Sequence, residues 1–213
     1  MTNPFHGLMV LADDCPCWKL DPVEQARAAC EGGASVVQLR AKRATDRIAL
    51  QWAEAIRELT LKFAVDFFVN DRFDLALASG ADGVHLGQDD FPSHRLPTHA
   101  RSRLKVGRST HSLEQATAAC AESIEYIAFG PIFGTRTKRS TTEPQGLDRL
   151  EEVVRHAHPR PVIAIGGIGL ENAGQVAATG AAGIAVISAI ADATDPPDAA
   201  RALGRILESS PAR

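Results

Sequence analysis

Long hydrophobic runs are missing from this 213-residue chain: apolar stretches such as Ile184 to Ile187 are strand-sized, which excludes a transmembrane span. Met1 to Gly7 lacks a basic region followed by an apolar run, so no signal peptide is expected. Positive charge is not in excess either. A net charge of −3 and a pI near 6.2 argue against a nucleic-acid or anionic-membrane surface. Phosphates are still allowed as ligands, because backbone amides and a few local cations suffice to hold them. Cysteine is sparse: Cys15, Cys17, Cys30 and Cys120 form no regular framework. One residue between Cys15 and Cys17 is poor spacing for a shared zinc, so reduced thiols in a cytoplasmic protein are expected. No linker or composition break divides the chain, which reads as a single domain over 1–213.

What is present is ordinary globular material, 45% hydrophobic and 23% charged, arranged as an alternation. Short apolar runs fall at Leu8–Ala12, Ser35–Leu39, Phe67–Asn70, Gly83–Leu86, Lys105–Ser109, Tyr126–Phe129, Val162–Ile165 and Gly183–Ile187. Rich in β-branched residues and without strict in/out alternation, they suit strands covered on both faces. Helical patterns separate them. In the second, Ile48, Trp52, Ala55, Ile56 and Leu59 share a face, and the fifth opens with Ser112 and Gln115 spaced as a capping box. The pattern around Ser93–Arg101 is weak. Three segments, Gly32-Gly33-Ala34-Ser35-Val36, Gly80-Ala81-Asp82-Gly83-Val84 and Gly180-Ala181-Ala182-Gly183-Ile184, repeat a helix-stopping glycine followed by a buried strand. Eight βα units of about 27 residues predict an α/β fold, a single (β/α)₈ TIM barrel, with a doubly wound open sheet as the structural alternative.

In such a barrel the chemistry gathers where strands end, and unusual polar groups do follow the strands. Strand two runs into Gln38, Arg40 and Lys42, strand three into Asn70 and Asp71, and strand four into Gln88, Asp89 and Asp90. Strand five ends at Ser109 with His111 nearby. Strand six leads to Thr135, Thr137 and Lys138, strand seven to Gly166 and Gly167, and strand eight to Ile187 and Ser188. Asp71 and Asp90 could hold Mg²⁺, which takes a few carboxylates plus water and phosphate oxygens. Arg40, Lys42 and Lys138 suit phosphate or pyrophosphate, with Ser109, Thr135 and Thr137 as hydroxyl donors. Gly167 and the Ile187–Ser188 turn stand where barrels bind phosphate through amides. Each has a plainer reading: Asp71 and Asp90 as N-caps, Gln38, Arg40 and Lys42 as a solvated rim, Lys138 in a charged loop, His85 as a packed structural histidine. One metal and two anion-binding zones suggest a diphosphate substrate and a separate monophosphate substrate.

Gln38-Leu39-Arg40-x-Lys42, Asn70-Asp71-Arg72, Gly83 to Asp90, Gly130-Pro131-Ile132-Phe133 with Thr135-x-Thr137-Lys138, and Ile165-Gly166-Gly167-Ile168 resemble thiamine-phosphate synthase, in order, over most of the chain. The resemblance implies a transferase that joins 4-amino-5-hydroxymethyl-2-methylpyrimidine diphosphate to 4-methyl-5-(2-hydroxyethyl)thiazole phosphate, releasing pyrophosphate. It implies Mg²⁺ on Asp71 and Asp90. It assigns the pyrimidine diphosphate to Gln38, Arg40, Lys42, Asn70, Ser109 and Lys138, and the thiazole phosphate to Thr135, Thr137, Gly167, Ile187 and Ser188. Arg40, Lys42, Ser109 and Lys138 would carry catalysis, and the loop from Thr135 to Gln145 would close over the phosphates. Met9 and Ala12 stand where the family usually has tyrosine and threonine. Gly107 to Ser112 also resembles the sister thiazole tautomerases, which use a histidine, here His111; a non-catalytic thiazole or thiamine phosphate-binding barrel is the third reading. Small molecules are the expected partners, with no nucleic acid, no membrane, and a homo-oligomer possible.

Overall fold

The computed structural model describes residues 5–134 and 143–209. The chain runs β1 (Gly7–Asp13), α1 (Pro22–Glu31), β2 (Val36–Arg40), α2 (Asp46–Phe63), β3 (Asp66–Asn70), α3 (Phe73–Ala78) and β4 (Gly83–Leu86). A 3-10 turn (Ser93–Arg95) and the single-turn α4 (Thr98–Arg101) stand where the helical pattern is weak. Then come β5 (Lys105–Thr110), α5 (Leu113–Cys120), β6 (Tyr126–Phe129), α6 (Gly146–Ala157), β7 (Val162–Ile165), α7 (Ala173–Ala178), β8 (Gly183–Val186), α8 (Ser188–Ala191) and α9 (Pro196–Glu208). Every strand pairs in parallel with the next, and β8 returns to β1 with Leu8 opposite Ile184, closing the barrel and excluding the open sheet.

Both faces of the strands are buried, which is why their sequences are apolar almost throughout. Along β1, Leu8, Val10 and Ala12 turn outward to the helices, while Met9 and Leu11 turn into the barrel. The inner set is closed at the N-terminal end by an aromatic plug. Phe5 packs on Tyr126 with ring centroids 4.7 Å apart and edge-on to Phe68 at 5.9 Å. With that end filled, the interior cavity lies towards the carboxyl ends of the strands.

Local chemistry sets the joints. Asp21 caps α1 in a full capping box with Glu24, and Pro22 sits in the first turn, where its missing N–H costs nothing. Gly33, Gly80 and Gly180 take φ of 81°, 66° and 84° before β2, β4 and β8, as the repeated signature predicts. Two details differ from the sequence reading. The buried stripe of α2 is Ala49, Ala53, Ile56, Leu59 and Thr60, with Ile48, Trp52 and Ala55 only half-buried. Small side chains let this helix lie close on the sheet, and the bulkier ones flank it. At α5, Ser112 accepts from the Gln115 amide, but the Gln115 side chain bonds the His111 amide rather than that of Ser112.

Candidate active site

At the open end a cavity of about 120 Å³ descends into the barrel, with Met9, Leu11, Ala128 and Ala185 among its apolar lining. Gln38, Asn70, His85, Ser109 and His111 line it from β2 to β5, and Gly166, Gly167, Ile187 and Ser188 from β7 and β8. A wider groove of about 1310 Å³ shares Arg40, Gly167 and Ser188 with it and adds Asp13, Asp14, Lys42 and Arg43. Gly166 and Gly167 have φ of 105° and 66°, and a Cβ on either would stand 2.6 Å or less from Pro131 or the Gly134 carbonyl. Glycine is needed there because the β6 and β7 loops touch backbone to backbone.

The cations are aimed by acids at the end of β1. Asp13, 1% exposed, pairs with Arg40 and also accepts from Trp18 Nε1 at 2.7 Å and the Cys15 amide at 3.0 Å. Asp14 accepts the amides of Lys42, Arg43 and Ala44 at 3.0, 2.7 and 2.9 Å, which fixes the turn carrying Lys42. Lys42 Nζ in turn contacts Asp71. Above this network the structure joins Cys15 to Cys17 as a disulfide, where free thiols were expected. The turn at Pro16 brings their Cα atoms to 5.2 Å, inside the range a disulfide spans. Cys30 and Cys120 remain free.

The two aspartates form an interacting pair. Asp71 adopts φ 65°, a left-handed conformation that Asp tolerates better than most residues, and its amide donates to the His85 carbonyl at 2.7 Å. Burial, and then a hydrogen bond with Asp90, push its carboxyl above the usual range against the pull of Lys42. For Asp90 burial also works upward, but the hydrogen bonds from Asp71 and the Gly87 amide, the latter at 2.6 Å, outweigh it and hold this carboxyl low. Asp71 is thus the raised member of the pair and Asp90 the lowered one. Among the described residues no group of three or more His, Cys, Asp or Glu side chains gathers as a ready metal cage. Two hard carboxylates still match Mg²⁺, which completes its shell with water and phosphate oxygens.

Deeper in the cavity, the Gln38 amide nitrogen lies 3.6 Å from Met9 Sδ, and Gln38 Oε1 is buried without a hydrogen-bond partner. His85, 6% exposed, bonds Tyr126 Oη through Nδ1 and Ser109 Oγ through Nε2, both at 2.8 Å. His111 Nδ1 sits 2.5 Å from the Gly130 carbonyl.

Of the residues predicted from sequence, Gln38, Arg40, Asn70, Ser109, Gly167, Ile187 and Ser188 meet on the cavity, and Lys42 lies on the groove. Asp71 and Asp90 lie side by side. Thr135, Thr137 and Lys138, and with them most of the segment expected to close over the phosphates, lie outside the described residues. Sequence reasoning passed over Asp13, Asp14 and Tyr126. The rule that polar groups at strand ends matter would have found the first two had it been applied to β1. Tyr126 carried no signal, since a lone tyrosine opening a buried strand reads as core.

Comparison with known proteins bears on the same region. A family model described as "Thiamine monophosphate synthase" matches residues 8–190. A thiamine-phosphate synthase of Anaeromyxobacter dehalogenans is 47% identical over 189 residues, covering 89% of this chain and 84% of its own. That of Chlorobium phaeovibrioides is 46% identical over 205 residues, covering 94% of each. Among solved structures, thiamine phosphate pyrophosphorylase from Pyrococcus furiosus superposes with a TM-score of 0.85 at 37% identity, over 97% of this chain and 96% of that one.

Proposed function

The chain belongs to the thiamine monophosphate synthase family, and from that premise we propose that it couples the pyrimidine diphosphate to the thiazole phosphate, giving thiamine phosphate and pyrophosphate. The observation that carries this reading is that Arg40 lines both a narrow, partly apolar cavity and the groove at its mouth, where Lys42 contacts Asp71, itself paired with Asp90. An uncharged heteroaromatic ring fits the cavity, and a diphosphate fits the charged rim.

Asp71 and Asp90 are the residues that would hold Mg²⁺, which when bound supplies positive charge to the diphosphate oxygens. Arg40 supplies a forked donor to the same group, held in aim by Asp13. Lys42, released from Asp71 as the anion enters, adds a second charge. Lys138 is assigned to the same leaving group by its place in the family pattern. The reaction breaks the bond between the methylene carbon and the diphosphate oxygen, and the aminopyrimidine stabilises the resulting cation. The thiazole nitrogen then forms the new bond to that carbon, and pyrophosphate departs with the electron pair. Gly167, Ile187 and Ser188, with Thr135 and Thr137, are proposed to hold the thiazole phosphate and so orient its nitrogen. No covalent nucleophile is needed, so the protein acts through preorganised charge.

The test is direct coupling of the two substrates with Mg²⁺, following thiamine phosphate by thiochrome fluorescence. Wild type is expected to form product, and Asp71→Ala/Asp90→Ala to form none. Lys138→Ala is expected to lose roughly 10²-fold in turnover, the scale of one charge-stabilising donor. No product from folded wild type would overturn the reading.

A further inference from the structure

A hydrogen-bonded line crosses the barrel interior from Tyr126 through His85 to Ser109. Space for it is built into the sequence. A Cβ at position 107 would stand 2.2 Å from Tyr126 Cζ and 2.5 Å from its hydroxyl, so Gly107 on β5 leaves the slot through which this ring reaches His85. The two rings lie stacked, with centroids 5.5 Å apart and planes inclined by 23°.

The direction of the protons follows from the partners. Burial pushes the Tyr126 hydroxyl well above its ordinary range, with the Gln38 hydrogen bond opposing, so the phenol keeps its proton. That proton has His85 Nδ1 at 2.8 Å and Met9 Sδ at 4.0 Å to choose between, and a ring nitrogen is much the stronger acceptor. A neutral imidazole that accepts at Nδ1 carries its own proton on Nε2, facing Ser109 Oγ. Ser109 then accepts from the ring, and its remaining hydroxyl proton is free to point into the cavity it lines.

We propose that Tyr126 and His85 are positioning residues for Ser109: Tyr126 donates to His85, His85 Nε2–H donates to Ser109, and Ser109 is thereby held as a hydrogen-bond donor to an acceptor atom of the pyrimidine diphosphate. This deepens the proposed synthase reading and rests on it for the identity of that ligand.

Two measurements on the full chain test the proposal. Long-range ¹⁵N correlation spectra of protein labelled at histidine report the tautomer of His85, identified by its absence in His85→Gln. The expectation is a neutral ring protonated on Nε2 in wild type, and a mixed or reversed tautomer in Tyr126→Phe. An Nδ1-protonated ring in wild type, or an unchanged one in Tyr126→Phe, would overturn the proposal. Kinetically, Ser109→Ala and Tyr126→Phe are each expected to lower kcat/KM for the pyrimidine diphosphate by about 10-fold, the size of one ligand hydrogen bond. The KM for thiazole phosphate should stay unchanged, and the double variant should be no worse than Ser109→Ala alone. Losses that multiply in the double variant would show Tyr126 acting independently of Ser109, which also overturns it. A folded wild type that couples nothing would fall on the synthase reading alone, and the histidine spectra would still decide the relay.

Discussion

Two acids at the end of β1 govern how the cations at the end of β2 are presented. Asp13 spends its carboxylate on Arg40, Trp18 and the Cys15 amide, so the guanidinium is held by a group that is itself anchored on three sides. Single residues elsewhere are equally dependent on surroundings. Cys30, buried in the last turn of α1, has its thiol pushed up from 9.0 to about 11 by burial, with Glu31 adding to it. The folded state therefore favours the protonated thiol. That contribution is fully present below pH 9 and is lost as pH rises towards 11, because the unfolded chain ionises first. The difference in urea-unfolding stability between wild type and Cys30→Ala should accordingly change by on the order of 2 kcal/mol across that window. A difference that stays flat with pH would remove Cys30 as its source. At this scale the sequence was legible as to position, with Arg40 on the cavity and Asp71 beside Asp90, and silent where a partner places a side chain. Nothing local distinguishes Tyr126 from other core aromatics until β5 is seen to leave it a slot.

Elements were read well because their signals are periodic. The eight strand runs match the observed strands to within a residue or two, since burial on both faces keeps most of each run apolar. The rotation of α2 was misread because a hydrophobicity pattern counts Trp52 as core, while close packing on a sheet selects alanine. Turns between elements were the least legible, and the β2–α2 turn shows why. Its conformation is set by Asp14, a residue remote in sequence, through three amide bonds to Lys42, Arg43 and Ala44. Asp14→Ala should leave those amides to solvent and release the turn. Amide hydrogen exchange at 42–44 should quicken by at least 10-fold, as expected where a bond of about 1–2 kcal/mol is lost. The KM for pyrimidine diphosphate should rise, with β-sheet amides elsewhere unchanged. Exchange at 42–44 as slow as in wild type would show the turn to be held by something else.

At the scale of the whole molecule, the repeat of eight βα units made the barrel legible, whereas closure itself is a long-range fact that no local pattern encodes. It is realised at one seam, where Leu8 on β1 faces Ile184 on β8. Every other strand pair joins neighbours in sequence, but this one joins residues nearly a whole chain apart. Bringing such distant segments together carries the largest loop-closure entropy in the fold, so the seam should zip after the neighbouring pairs have formed. Leu8→Ala, which empties a buried site, is expected to cost about 2–4 kcal/mol. Nearly all of it should appear as faster unfolding, whereas Val69→Ala on β3 should also slow folding. Stopped-flow chevrons of the two variants would read this order directly. An active site whose walls come from β2 to β5 on one side and β7 to β8 on the other would then be the last part of the molecule to exist, assembled only when the ring of strands shuts.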